Sequence, residues 1–166
     1  MLSAFAIFVK ICRMNITLNL PAFDIKTRIE GGQALVFDLV RQKYVTLTPE
    51  EWVRQHFVNY MLVYKGYSKG LLAIEHPVLL NNMQQRADIV AFNRRGNPVL
   101  VVECKSPSVT LAREVYAQAS RYNLTLNASY LVVTNGISHF CSKVDFETKE
   151  FIALSEVPDF KEIGNA

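Results

Sequence analysis

The feature that most constrains this chain is the run Val99-Leu100-Val101-Val102, followed at once by Glu103-Cys104-Lys105. An unbroken, Val-rich apolar run of this length fits a strand covered on both faces, in the middle of a sheet. Cover on both faces calls for helices packed above and below, which is an α/β architecture. Two charges at the end of such a strand are costly unless they are paired or used.

The flanking sequence supplies the rest of the sheet. Ile16, Leu18 and Leu20 alternate with polar residues up to Pro21, and Ile25 to Ile29 alternates again. Gly31-Gly32 then predicts a hairpin turn into Ala34–Phe37, a β-hairpin extension ahead of the main domain. Thr48-Pro49-Glu50-Glu51 predicts a helix start, with Thr48 as cap, Pro49 in the first turn and Glu51 at the capping-box position. Val53, Phe57, Tyr60, Met61 and Tyr64 recur on one helical face, and Gly66 marks the end. Three strands are expected next: Leu71–Ile74 joined to Val78–Leu80 and interrupted near Pro77, then Ala87–Phe92, then Val99–Cys104. Arg94-Arg95-Gly96-Asn97 forms the turn between the last two. A second helix is expected over Thr110–Leu126, then strands at Tyr130–Thr134 and Ile137–Cys141 joined by Asn135-Gly136, and an edge strand at Glu150–Leu154. The expected fold is a mixed central sheet flanked by helices.

Strand geometry brings chemistry to one place. Side chains alternate, so Glu103 and Lys105 share a face while Cys104 turns to the core. Asp88 starts the strand paired antiparallel to the Val99–Cys104 strand, which puts it beside Glu103 and Lys105. Two neighbouring carboxylates repel unless a cation joins them, and hard oxygens select Mg²⁺ or Mn²⁺. A lysine beside such an ion is equipped to position or deprotonate water and to stabilise charge in phosphodiester hydrolysis. A solvated strand face with alternating Glu and Lys is the plainer alternative. The buried character of the strand favours chemistry.

The segments Arg86-Ala87-Asp88, Glu103-Cys104-Lys105 and Gln118-Ala119-Ser120-Arg121-Tyr122, in this order, resemble the PD-(D/E)xK nuclease superfamily. With Leu47 to Gln55, Val101 to Pro107 and Thr134-Asn135-Gly136, they are most similar to the N-terminal nuclease domain of type I restriction enzyme R subunits. The similarity runs over roughly residues 25–155. It implies a restriction-endonuclease-like fold and Mg²⁺-dependent cleavage of DNA, with Mn²⁺ as a substitute ion. It implies Asp88 and Glu103 as metal ligands and Lys105 as the catalytic lysine. Gln118 and Tyr122 match the Q-x-x-x-Y motif, on one helix face toward the DNA backbone or the lysine, with simple packing as the alternative. Glu51 matches an acidic residue that many members carry on the first helix, and Glu50 could take its place. Glu75 reads as a carboxylate paired with a neighbouring base, and Arg54 as a structural bridge to Glu50 or Glu51. Cys104, His139 and Trp52 read as packing residues. Ala87 stands where the superfamily name has Pro, which leaves the aspartate in place.

Composition excludes several other classes. The chain has 166 residues, 50% hydrophobic, with a net charge of +3. That fits one globular domain, here 14–166, and excludes a disordered chain. Residues 1–13 form a short apolar extension before Met14, read as a start called too early or a frayed strand rather than a targeting segment. No G-x-x-x-x-G-K-[ST] motif occurs, so the translocating motor of an R subunit is not expected in this chain. No apolar run approaches the length needed to span a membrane. Cys12, Cys104 and Cys141 form no C-x-x-C pair, and the three histidines, His56, His76 and His139, form no H-x-x-x-H pair. A reducing cytoplasm fits this usage. Residues 1–144 hold 16 bases against 9 acids, and residues 145–166 hold 2 bases against 6 acids. A basic body suits a polyanionic partner, DNA, with a separate motor or specificity subunit and a homodimer both open. The competing functions are a DNA-binding module that does not cut, and a subunit of a larger restriction or defence complex.

Overall fold

The computed structural model describes residues 17–80 and 82–164, with Tyr122 described by its backbone alone. Segment 1–13 and Ile16 lie outside the described residues. Three short strands come first: β1 (Thr27–Glu30), β2 (Gln33–Asp38) and β3 (Lys43–Thr46). Helix α1 (Pro49–Tyr64) follows, then β4 (Leu72–Leu80), β5 (Met83–Phe92) and β6 (Pro98–Cys104). Helix α2 (Arg113–Leu126) leads to β7 (Tyr130–Thr134), β8 (His139–Val144), β9 (Phe151–Leu154) and a short α3 (Phe160–Ile163).

The main sheet has the order β4-β5-β6-β7-β8-β9. Only β6 and β7 run parallel, and α2 is the crossover that such a pair requires. Every residue of β6 after Pro98 is buried, as its apolar run predicts. On one face Leu100, Val102 and Cys104 pack with Val53, Phe57 and Met61 of α1. On the other, Val90, Val101, Leu131 and Val133 pack with Ala119 of α2. The chain thus has the mixed sheet flanked by helices of a restriction-endonuclease-like α/β fold.

Several expectations need correction. The expected hairpin is present as β1–β2 about Gly31-Gly32, but β3 extends it to a three-stranded antiparallel sheet, which seats Ala34, Val36 and Leu47 against Trp52 of α1. The turn before β3 lacks the usual Gly or Pro signal. Asp38 builds it instead, its Oδ1 accepting from the amides of Val40 (2.9 Å) and Arg41 (2.7 Å). Leu18 and Leu20 belong to no strand; they pack on the main core, and the Asn19 amide donates to the Gly136 carbonyl at 2.7 Å. Pro77 does not interrupt β4, because β4 is an edge strand where a missing N–H is tolerated. The irregularity falls at Glu75, whose φ is 52° and which the ladder skips between Ile74↔Ile89 and His76↔Ala87. Helix α2 starts at Arg113, three residues later than Thr110.

Candidate functional site

The unpaired position in β4, Glu75, lies opposite Asp88 in β5, and the register is the same on either side of it. Asp88 is 8% exposed, and both of its oxygens are engaged. Oδ1 accepts from Arg54 at 2.6 Å and Oδ2 accepts from the Cys104 backbone amide at 2.6 Å. The second bond ties Asp88 to the end of β6, beside Glu103.

Glu103 is 5% exposed. Its Oε1 accepts from Lys105 Nζ at 2.6 Å, while Oε2 is buried without a hydrogen-bond partner. Burial, and then the charge of Asp88, push the Glu103 carboxyl up to about 7 against the pull of Lys105. Burial works to lower Lys105, but its bond to Glu103 and the charges of Glu103, Asp88 and Glu50 outweigh that and raise it. Lys105 is therefore held as an ammonium. The structure brings Asp88, Glu103 and Lys105 together, as the antiparallel pairing predicts.

Thr48 caps α1 by accepting from the Glu51 amide at 3.0 Å. The Glu51 carboxylate does not close the capping box. It accepts from Gln55 Nε2 at 2.8 Å and pairs with Arg54. The helix carboxylate whose charge bears on Asp88 and Lys105 is Glu50; burial and then Asp88 raise it, and Arg54 and Lys105 oppose the rise.

Arg54 is the residue that sequence reasoning undervalued. It bridges to Glu51 and Glu50, as expected, but its reach goes further. It contacts Asp88 at 2.6 Å and lies 3.9 Å from Glu75, so one guanidinium serves carboxylates from α1, β4 and β5. Glu75 also pairs with Arg41, which bonds Asp38 at 2.6 Å. An ionic chain thus runs from the N-terminal sheet to Asp88. No sequence signal marks it, since Arg54 looks like any helix base.

Gln118 is exposed on α2, in a shallow cavity of about 320 Å³ lined also by Gln85, Glu114 and Arg121. None of Asp88, Glu103 and Lys105 lines that cavity. Tyr122 lies one helical turn on, with only its backbone described. Cys104 is buried in the core, and Trp52 packs in the N-terminal sheet's small core, with its ring 4.4 Å from that of His56. His139 bonds Thr134 and the Asn19 carbonyl, away from the carboxylates.

Among the described residues, no three His, Cys, Asp or Glu side chains form a ready metal-ligand set. The donor chemistry nevertheless fits a hard divalent cation, because a buried carboxylate oxygen without a partner lies beside a second carboxylate. Mg²⁺ is commonly held by one or two carboxylates, with water and substrate phosphates completing its shell.

Among solved structures, the chain is similar to a fragment described as the HsdR subunit of a type I restriction enzyme from Vibrio vulnificus YJ016. The TM-score is 0.53 at 21% identity, over 70% of this chain and 24% of that one. No curated protein matches. The family model for the N terminus of the type I restriction enzyme R protein matches residues 49–158, which include Asp88, Glu103, Lys105 and Gln118 but not the three-stranded sheet. Over that span, two thirds of its length, the chain belongs to the family of type I restriction enzyme R protein N termini.

Proposed function

We propose that this domain is a divalent-metal-dependent DNA endonuclease, with Asp88 and Glu103 as metal-holding residues and Lys105 as the catalytic cation. The observation that carries the proposal is the buried, partnerless Oε2 of Glu103, beside Asp88 and with Lys105 at 2.6 Å from its other oxygen. A bound Mg²⁺ or Mn²⁺ supplies Lewis-acid polarisation and a more acidic water. The protein's own contribution is positional. The Cys104 amide and Arg54 hold Asp88 still, and the end of β6 aims Glu103. Lys105, held as an ammonium, stabilises charge developing on the phosphate rather than accepting a proton. Gln118 and Tyr122 on α2 serve as contacts to the DNA backbone, which carry no base information.

Because the solved relative is far longer than this domain, we further propose that cleavage in the cell is coupled to a motor or specificity component. The family match supports this. The test is incubation of the purified protein with supercoiled, linear and single-stranded DNA, with Mg²⁺, Mn²⁺ or chelator. Metal-dependent nicking that is lost in Glu103→Gln supports the proposal. DNA binding without cutting in every metal, alone and with a motor protein added, would overturn it in favour of a binding module.

A further inference from the structure

We propose that Arg54 permanently fills one cation position of the carboxylate cluster, so that the site takes a single divalent ion rather than a pair. The inference rests on the reading of Asp88 and Glu103 as metal-holding residues, and it adds the number of ions and the reason for it.

Five carboxylates converge here: Glu50, Glu51, Glu75, Asp88 and Glu103. Glu50 holds Oε1 3.5 Å from Arg54, and its side chain is 44% exposed. Asp88 Oδ1 accepts from Arg54, while Oδ2 accepts from the Cys104 amide and keeps a lone pair for an ion. Glu51 spends Oε1 on Gln55 and Oε2 on Arg54. Glu75 gives Oε2 to Arg41 and holds Oε1 3.9 Å from Arg54. Glu103 gives Oε1 to Lys105. Among the described residues, the one buried side-chain oxygen left without a partner is Glu103 Oε2.

A two-ion centre, with ions roughly 4 Å apart, needs carboxylate oxygens on both sides. Here the second side is taken by a guanidinium that does not deprotonate and whose planar fork spans Glu51 and Asp88 together. Arg54 is 5% exposed and comes from the interior of α1, so it cannot swing out to solvent without opening the helix–sheet interface. Its Nε is also buried and partnerless, so the side chain has been placed for its two terminal nitrogens at the expense of the third. Lysine could not serve, because one ammonium on a flexible stem does not hold two carboxylates at fixed separation.

Counting Mn²⁺ on the intact chain tests this, by calorimetric titration together with electron paramagnetic resonance of the bound ion. The expected result for the wild type is one ion per chain and a spectrum free of Mn–Mn coupling. Glu103→Gln should lose affinity by at least about tenfold. Arg54→Gln, with its fold checked by circular dichroism, should bind a second ion at the oxygens it vacates. Two coupled ions in the wild type would overturn the inference and leave the nuclease reading standing, and this arm needs no variant. No ion bound to the wild type would instead overturn the metal-dependent reading, and the inference with it. A folded Arg54→Gln that still binds one ion would show that the guanidinium is not what excludes the second.

Discussion

The guanidinium of Arg54 on α1 lies 2.6 Å from Oδ1 of Asp88 on β5, across 34 residues of sequence. Both groups are buried, and the same guanidinium holds Glu51. Removing one partner of a buried ion pair strands the other, which typically costs about 3–5 kcal/mol. Arg54→Met should lower stability by that order in urea denaturation. Adding Asp88→Asn should recover part of the loss, because the stranded charge is gone. A loss below about 1 kcal/mol would mean that solvent reaches Asp88 and the pair is not structural.

The site residues should separate by role. Asp88→Ala and Glu103→Ala should lose metal binding and plasmid nicking together. Glu103→Gln should leave the metal-free protein as stable or more so, since the ionised Glu103 is buried beside Asp88. Lys105→Ala should keep metal binding while the rate falls about 10²–10³-fold, the usual range for one lost charge-stabilising group. Metal binding that survives Asp88→Ala but is lost in Lys105→Ala would reverse these roles.

Gln118 is exposed, so Gln118→Ala should leave the melting temperature within a degree or so while weakening cleavage. Wild-type activity in this variant would reduce its match to the motif to a coincidence of spelling.

His139 should make the N-terminal segment sensitive to acid. Its Nδ1 faces the Thr134 hydroxyl at 2.8 Å and its Nε2 faces the Asn19 carbonyl at 3.0 Å. These partners fit a neutral ring with the proton on Nε2. Burial lowers its pKa below the usual 6.5, with the bond to Asn19 opposing. A lowered folded pKa means that the unfolded chain binds the extra proton first. The stabilisation is complete above pH 6.5 and is lost as pH falls below it, through the folded value. The protection factor of the Asn19 amide, bonded to Gly136, should hold above pH 6.5 and fall as the pH drops below it. An unchanged factor below pH 6.5 would refute the assignment.

Gly136 sits at φ +81°, and a Cβ there would meet Leu18 Cδ2 at 2.7 Å and Val53 Cγ2 at 3.2 Å. Gly136→Ala combines backbone strain with a collision against the core, so a loss of about 1–3 kcal/mol is expected. Thermal denaturation would reveal it, and a neutral result would mean that Leu18 moves aside without cost.

Much of the domain was legible in the residues themselves because it depends on local rules. The Val-rich run declared β6, Thr48 declared the start of α1, and Gly31-Gly32 and Arg94 to Asn97 declared their turns. Antiparallel pairing about that last turn placed Asp88 beside Glu103 and Lys105, because strand alternation and a short connection leave little freedom. Tertiary structure alone decided what those charges lean on. Arg41 reaches Glu75 across 34 positions, and Arg54 reaches Asp88 across as many. The left-handed turn of Glu75 inside β4 and the third strand of the N-terminal sheet follow from packing between distant segments. A helical arginine carries no mark of the carboxylates it will meet; only the folded chain brings them within reach.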